Sequence, residues 1–147
     1  MDEPNRGVVM SVRGSVVEAR FDDRLPPVRS LLRAGEDDSI VIEVLMQPAA
    51  DRVRGVALTP TQGLQRGATV TDSGGPLMTP VGKSVLSRML DVFGNVIDRG
   101  PPLEDVEWRS VHSPPPSLQR RSTHAEIFET GIKVIDVLMP MERGGKA

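Results

Sequence analysis

Gly82-Lys83-Ser84 comes nearest to a recognisable chemistry, because a phosphate-binding loop ends in Gly-Lys-Ser or Gly-Lys-Thr. Such a loop also needs a glycine five positions before its last one, so that backbone N–H groups can curl around the phosphates, and position 77 is Leu. Pro76 and Pro80 remove two further donors, so the stretch reads as a turn. His112 and His124 stand twelve positions apart, with no cysteine and no paired histidine nearby, which is not the spacing of metal ligands. Asp22-Asp23 and Glu36-Asp37-Asp38 could offer paired carboxylates for acid–base work. Neither has a His or Ser companion, and both read as solvated turns between strands. Trp108 is a lone tryptophan and makes no stacking platform, while Met78, Met89, Met139 and Met141 read as gap-filling packing residues. The residues by themselves supply no catalytic, cofactor-binding or metal-binding set.

The elements that carry these residues are mostly strands. From Gly7 to Phe21 apolar residues alternate with polar ones, Val8, Met10 and Val12 on one parity and Val17, Ala19 and Phe21 on the other. A period of two means β-strand, and Gly14 at the change of parity predicts a bulge or sharp bend. Leu25-Pro26-Pro27 interrupts the pattern. Ile40, Ile42, Val44 and Met46 then share one register, Pro48 to Asp51 reads as a turn, and Arg52 to Thr59, Ala68 to Thr71 and Leu77 to Val81 read as further strands. Thr61-Gln62-Gly63 and Ser73-Gly74-Gly75-Pro76 are turns between them. About six short strands at near-regular spacing predict a mainly β fold, with a six-stranded closed antiparallel β-barrel over residues 1–82.

Beyond Gly82 the period changes. Val85, Leu86, Met89, Leu90 and Phe93 recur at three and four residues and predict a helix capped by Gly94. Ile97 to Thr123, with Pro101, Pro102 and Pro114 to Pro116, reads as an extended connector. Thr130 is placed to cap a short helix carrying Ile132, Ile135, Val137 and Leu138, which Pro140 stops.

Composition narrows the function classes. The 147 residues carry a formal net charge of −2, no cysteine, and four aromatics, Phe21, Phe93, Trp108 and Phe128. No disulfide framework or thiolate chemistry is open to the chain, and an intracellular setting is the default. Its start is too polar and acidic for a signal peptide, and no apolar run reaches the ~18 residues of a membrane span. Balanced, scattered charge gives no footprint for nucleic acid.

One group of motifs is more specific. Glu129-Thr130-Gly131-Ile132-Lys133-Val134-Ile135-Asp136, then Pro140 and Gly144-Gly145-Lys146, resembles the segment before the phosphate-binding loop in the catalytic beta subunit of rotary F-type ATP synthases. Asp72-Ser73-Gly74, Pro80-Val81-Gly82, Asn95 to Asp98, Gly100-Pro101 and His112 with Pro114 fall in that family's order. Gly7 to Phe21, Leu25-Pro26, Glu43-Val44, Arg52-Val53-Arg54 and Gly63 to Gly67 fit its N-terminal barrel. Glu129 stands where the alpha partner usually has Gln, which favours beta. Ser87 replaces a usual glycine, Val96 a usual proline, Met141 a usual aromatic, and Met46-Gln47-Pro48 a glycine-rich turn, so the resemblance is to a diverged, alternative branch.

The resemblance implies a barrel at 1–82, and at 83–147 a connector with the truncated start of an α/β phosphate-binding-loop nucleotide-binding domain. It implies that the Gly-rich loop begins just beyond Ala147, so that catalytic, cofactor-binding and metal residues are none in this chain, which alone is inactive. In the whole subunit it implies Mg-ATP or Mg-ADP and phosphate as ligands, and ATP synthesis or hydrolysis coupled to transport of H+ or Na+. Alpha subunits would flank the barrel in an alternating six-membered ring, with gamma as central stalk, no nucleic acid and no membrane insertion. The complex would lie peripherally on the cytoplasmic side of a bacterial or archaeal plasma membrane. The rival reading is a free-standing OB-like barrel that binds nucleic acid or oligosaccharide, which rests on barrel topology alone.

Overall fold

A computed structural model describes residues 4–121 and 126–146 of the chain. It divides into two compact units, Met1–Ser113 and Pro114–Ala147.

The first unit is built on β1 (Arg6–Arg13), β2 (Val16–Phe21), β3 (Ser30–Ala34), β4 (Ile40–Ala49), β5 (Arg52–Ala57) and β6 (Thr69–Pro76). These six antiparallel strands close into a barrel in the order β1-β2-β5-β4-β3-β6. Closure leaves no free strand edge in the barrel, and the inward residues form one core that includes Val9, Val17, Leu32, Ile42, Val44, Val53 and Val70. Two glycines mark where the wall is tightest. A Cβ on Gly7 would sit 2.9 Å from the Phe21 ring, and one on Gly55 would sit 2.7 Å from Ile42 Cγ2 and against the Glu43 carbonyl. Only glycine lets the neighbouring strand and ring lie that close.

The barrel is as expected, but its inward faces differ from the simple parity. Gly14, at φ 60, opens a two-residue turn that reverses the chain into a β1–β2 hairpin, rather than bending one continuous strand. The bulge lies earlier: register passes from Val9↔Ala19 to Ser11↔Glu18, leaving Met10 as the extra residue. Val9 and Val12 therefore face the core while Val8 is exposed. A second bulge between Val44 and Met46 turns Leu45 and Met46 outward, so Met46 leaves the register of Ile40, Ile42 and Val44.

The sixth barrel strand is β3, which the sequence pattern does not reveal. Leu77 to Val81 is not a barrel strand: β7 (Met78–Val81) pairs with β8 (Glu107–Ser110), inside the stretch expected to be connector. The Ser73 to Pro76 turn is instead the end of β6, bulged so that Ser73 Oγ donates to the Leu31 carbonyl at 2.7 Å.

No α-helix spans Val85 to Phe93. A 3-10 turn, Lys83–Val85, is followed by irregular chain in which Leu90 bridges Val96. Side-chain bonding displaces the helix. Asp91 accepts from the N–H groups of Phe93 (2.9 Å) and Asn95 (2.8 Å), a local turn that competes with helical bonding. Gly94, at φ 83, belongs to that turn and is not a helix cap.

The second unit contains β9 (Ile127–Phe128), the helix α1 (Lys133–Leu138) and β10 (Met141–Glu142), with β9 and β10 paired. The helix ends ahead of Pro140 as expected. Its first-turn bonding differs, because the N-cap position is Ile132 with no side-chain cap, and Thr130 lies two residues earlier.

Candidate functional site

Gly82-Lys83-Ser84 forms an exposed corner after β7, with Gly82 at φ 120. Leu77, five positions earlier, accepts the Val111 N–H through its carbonyl, so this stretch of chain is β-ribbon and not a phosphate cradle. Asp22, Asp23, Glu36, Asp37 and Asp38 lie on exposed turns. Trp108, on β8, stacks over Gly94, where a Cβ would come 2.7 Å from its ring. His124 lies outside the described residues. Among the described residues no group of three His, Cys, Asp or Glu side chains could hold a metal, and no helix is long and apolar enough to cross a membrane.

What the structure does bring together are carboxylates used as local anchors. Asp98 accepts from Arg88 Nε (2.7 Å) and Nη2 (3.1 Å), and from the backbone N–H groups of Met89 (3.1 Å) and Gly100 (2.8 Å). Those donors, Arg88 first, hold the Asp98 carboxyl far below the usual carboxylate range, and the same pairing raises Arg88. Asp91 is lowered as well, mainly by the Asn95 side-chain amide at 2.8 Å.

In the second unit Asp136 plays the equivalent part. It accepts from Thr130 Oγ1 (2.6 Å), Thr130 N–H (3.0 Å) and Gly131 N–H (3.0 Å), which lowers its pKa, while Thr130 Oγ1 in turn accepts the Ile132 N–H at 3.1 Å. The Glu129 to Asp136 motif is thus a closed turn that starts α1 from the side, and Thr130 acts through Asp136 instead of as the cap. An open cavity of about 580 Å³ is lined by Phe128 and by residues Met141 to Lys146.

The barrel's outer wall carries exposed charged and apolar side chains. Glu18 on β2 accepts from Arg54 Nε on β5 at 2.8 Å, which lowers the Glu18 pKa, and Ser11, Arg13 and Val16 line the shallow groove around them. Val28, Leu45 and Met46 are exposed apolar residues, the last two placed outward by the β4 bulge. Sequence reasoning gave no role to Glu18, Arg88 or Asp91, and named Asp98 only as the end of the Asn95 to Asp98 motif. The Asp91-Val92-Phe93-Gly94-Asn95 composition, with its three turn formers, was the available signal for the second anchor.

Comparison with known proteins bears on this geometry directly. Residues 9–74 match the family described as ATP synthase alpha/beta family, beta-barrel domain. ATP synthase subunit beta 1 of Marinomonas sp. (strain MWYL1) is 66% identical over 97% of this chain and 30% of its own length. ATP synthase subunit beta 1 of Psychromonas ingrahamii is 67% identical over 98% of the chain and 30% of its own length. ATP synthase subunit beta 2 of Albidiferax ferrireducens is 68% identical over 97% of the chain and 27% of its own length. The chain therefore spans about 30% of the length of the curated relatives it matches. That similarity runs through both units, which a free-standing OB-like module does not account for. The closed barrel matches the β-barrel domain of the ATP synthase alpha/beta family over residues 9–74, and nearly the whole chain is similar to the N-terminal part of ATP synthase beta subunits.

Proposed function

We propose that this chain is the assembly end of a catalytic beta subunit in a rotary F-type ATP synthase. The barrel that ends with β6 at Pro76 is the ring-forming part, and the chain beyond it is the approach to the nucleotide-binding domain. The observation that carries the reading is the 66–68% identity sustained over nearly every residue, barrel and post-barrel alike. The closed barrel supports it: a wall without free edges meets neighbours through side chains, which suits alternating contacts with alpha subunits on either side.

In the whole subunit, ATP is made or hydrolysed with transport of H+ or Na+, and gamma is the central stalk. The complex sits peripherally on the cytoplasmic face of a bacterial or archaeal plasma membrane. Mg-ATP, Mg-ADP and phosphate are ligands of the whole subunit, and the residues of this chain serve assembly rather than catalysis, cofactor binding or metal binding. The numbers 1 and 2 in the relatives' names support an additional copy of the subunit, as do the replacements at Ser87, Val96 and Met141. Reading the coding sequence past codon 147 tests the assignment. A Gly-x-x-x-x-Gly-Lys-Ser/Thr motif within the next few codons is expected, and a continuation without one overturns it.

A further inference from the structure

Only one hydrogen bond among the described residues joins the barrel strands to residues 77–113 of the same unit: the contact between His112 Nε2 and Glu43 Oε1. The two residues are 69 positions apart, and the segment that separates β6 from His112 includes the whole β7–β8 ribbon. Glu43 sits at the middle of β4, opposite Leu31 on β3 and Val56 on β5, with its side chain only 15% exposed. A carboxylate so covered is costly without a partner, and His112 is the side chain that meets it. The histidine is in turn held in place. Its N–H donates to Ser110 Oγ at 3.1 Å, and Ser113 Oγ donates to the Ser110 carbonyl at 3.2 Å. This tight turn aims the ring at the barrel wall.

The ribbon is also joined covalently at the end of β6, and its internal hydrogen bonds do not involve the barrel: β7 pairs with β8, and Val111 N–H donates to the Leu77 carbonyl. We propose that the His112–Glu43 contact is a latch that holds the 77–113 segment against the barrel and fixes where the chain leaves it at Ser113. Removing either side chain frees the segment to open as a unit on its β6 hinge, while the closed barrel, whose core is complete without it, stays folded.

The experiment is amide hydrogen exchange on the intact chain, with Trp108 fluorescence as a second reporter on β8. His112→Ala and Glu43→Ala should each speed exchange of the Thr79, Trp108 and Arg109 amides by about tenfold, the scale of one hydrogen bond to a charged group. The core amides of Ile42 and Val53 should be unchanged in both variants. The double variant should exchange no faster than either single one, because each change breaks the same contact. Equal acceleration of ribbon and core amides, effects that multiply in the double variant, or no change in either reporter would each overturn the latch.

Discussion

Arg88 and Asp98, ten residues apart, meet through two guanidinium nitrogens at 2.7 and 3.1 Å, with each side chain about 18% exposed. Arg88 Nη2 reaches on to the Pro101 carbonyl at 2.6 Å, so one guanidinium ties three points of the irregular 86–101 segment. Because the folded Asp98 pKa lies below its unfolded value, the stabilisation is complete above the ordinary carboxylate range and is lost as pH falls through the folded value. Acid titration followed by exchange of the Met89 and Gly100 amides should show loss of protection below about pH 4, the ordinary carboxylate range. In Asp98→Asn this acid-dependent step should vanish, with the 86–101 amides already poorly protected at neutral pH.

Ser87 holds a left-handed backbone, φ 61, a conformation that glycine adopts at little cost. A side chain there is strained by about 1–2 kcal/mol. Ser87→Gly should therefore raise the stability of the first unit by up to about 1 kcal/mol, after the extra freedom glycine gains in the unfolded chain. A chemical denaturation midpoint shifted upward checks it, and an unchanged midpoint counts against strain at this position.

Two barrel glycines differ in why they are needed. Gly55→Ala forces a methyl group onto the Glu43 carbonyl and Ile42, and should cost about 1–3 kcal/mol by overpacking. Gly14 has open space around it and needs glycine only for its φ of 60. Gly14→Val should cost about 1–2 kcal/mol, and Gly14→Asn, which tolerates that conformation, distinctly less. Urea denaturation of the three variants separates crowding from backbone strain.

No residue of α1 is buried, and Ile132, Val134, Val137, Leu138 and Met139 are all more than half exposed. Six residues are too few to persist as an isolated helix, so its amides should exchange fast, slowed only by the Asp136 turn. Exchange at Val134 to Leu138 should exceed that at Ile40 to Val44 by orders of magnitude, and Asp136→Ala should remove the residual protection.

The parts of this fold that were readable in sequence are those where a strand keeps one parity. Ile40, Ile42 and Val44 alternate inward as the pattern requires, and the barrel followed from several such runs. Met10 and Leu45 are bulge residues, and a bulge reverses inside and outside without any special residue type to announce it. β3 was hidden because Leu31 and Leu32 are both buried, so its five residues do not alternate. The Val85 to Phe93 spacing resembled a helix face, but Asp91 and Asp98 bond the backbone and Arg88 in ways a helix forbids. Those contacts depend on partners up to ten residues away, which a periodicity does not carry. The Glu129 to Asp136 motif was recognisable as a resemblance, while the inward turn of Asp136 onto Thr130 and Gly131 emerged only with coordinates.

Assembly through the barrel is the central claim, and native mass spectrometry of this chain mixed with an ATP synthase alpha subunit tests it most directly. The account predicts complexes containing alpha and this chain in equal numbers at micromolar concentration, disrupted when the outward residues Leu45 and Met46 are both replaced by Glu. A chain that stays monomeric beside alpha, yet binds single-stranded DNA or RNA tightly at low salt, would contradict it.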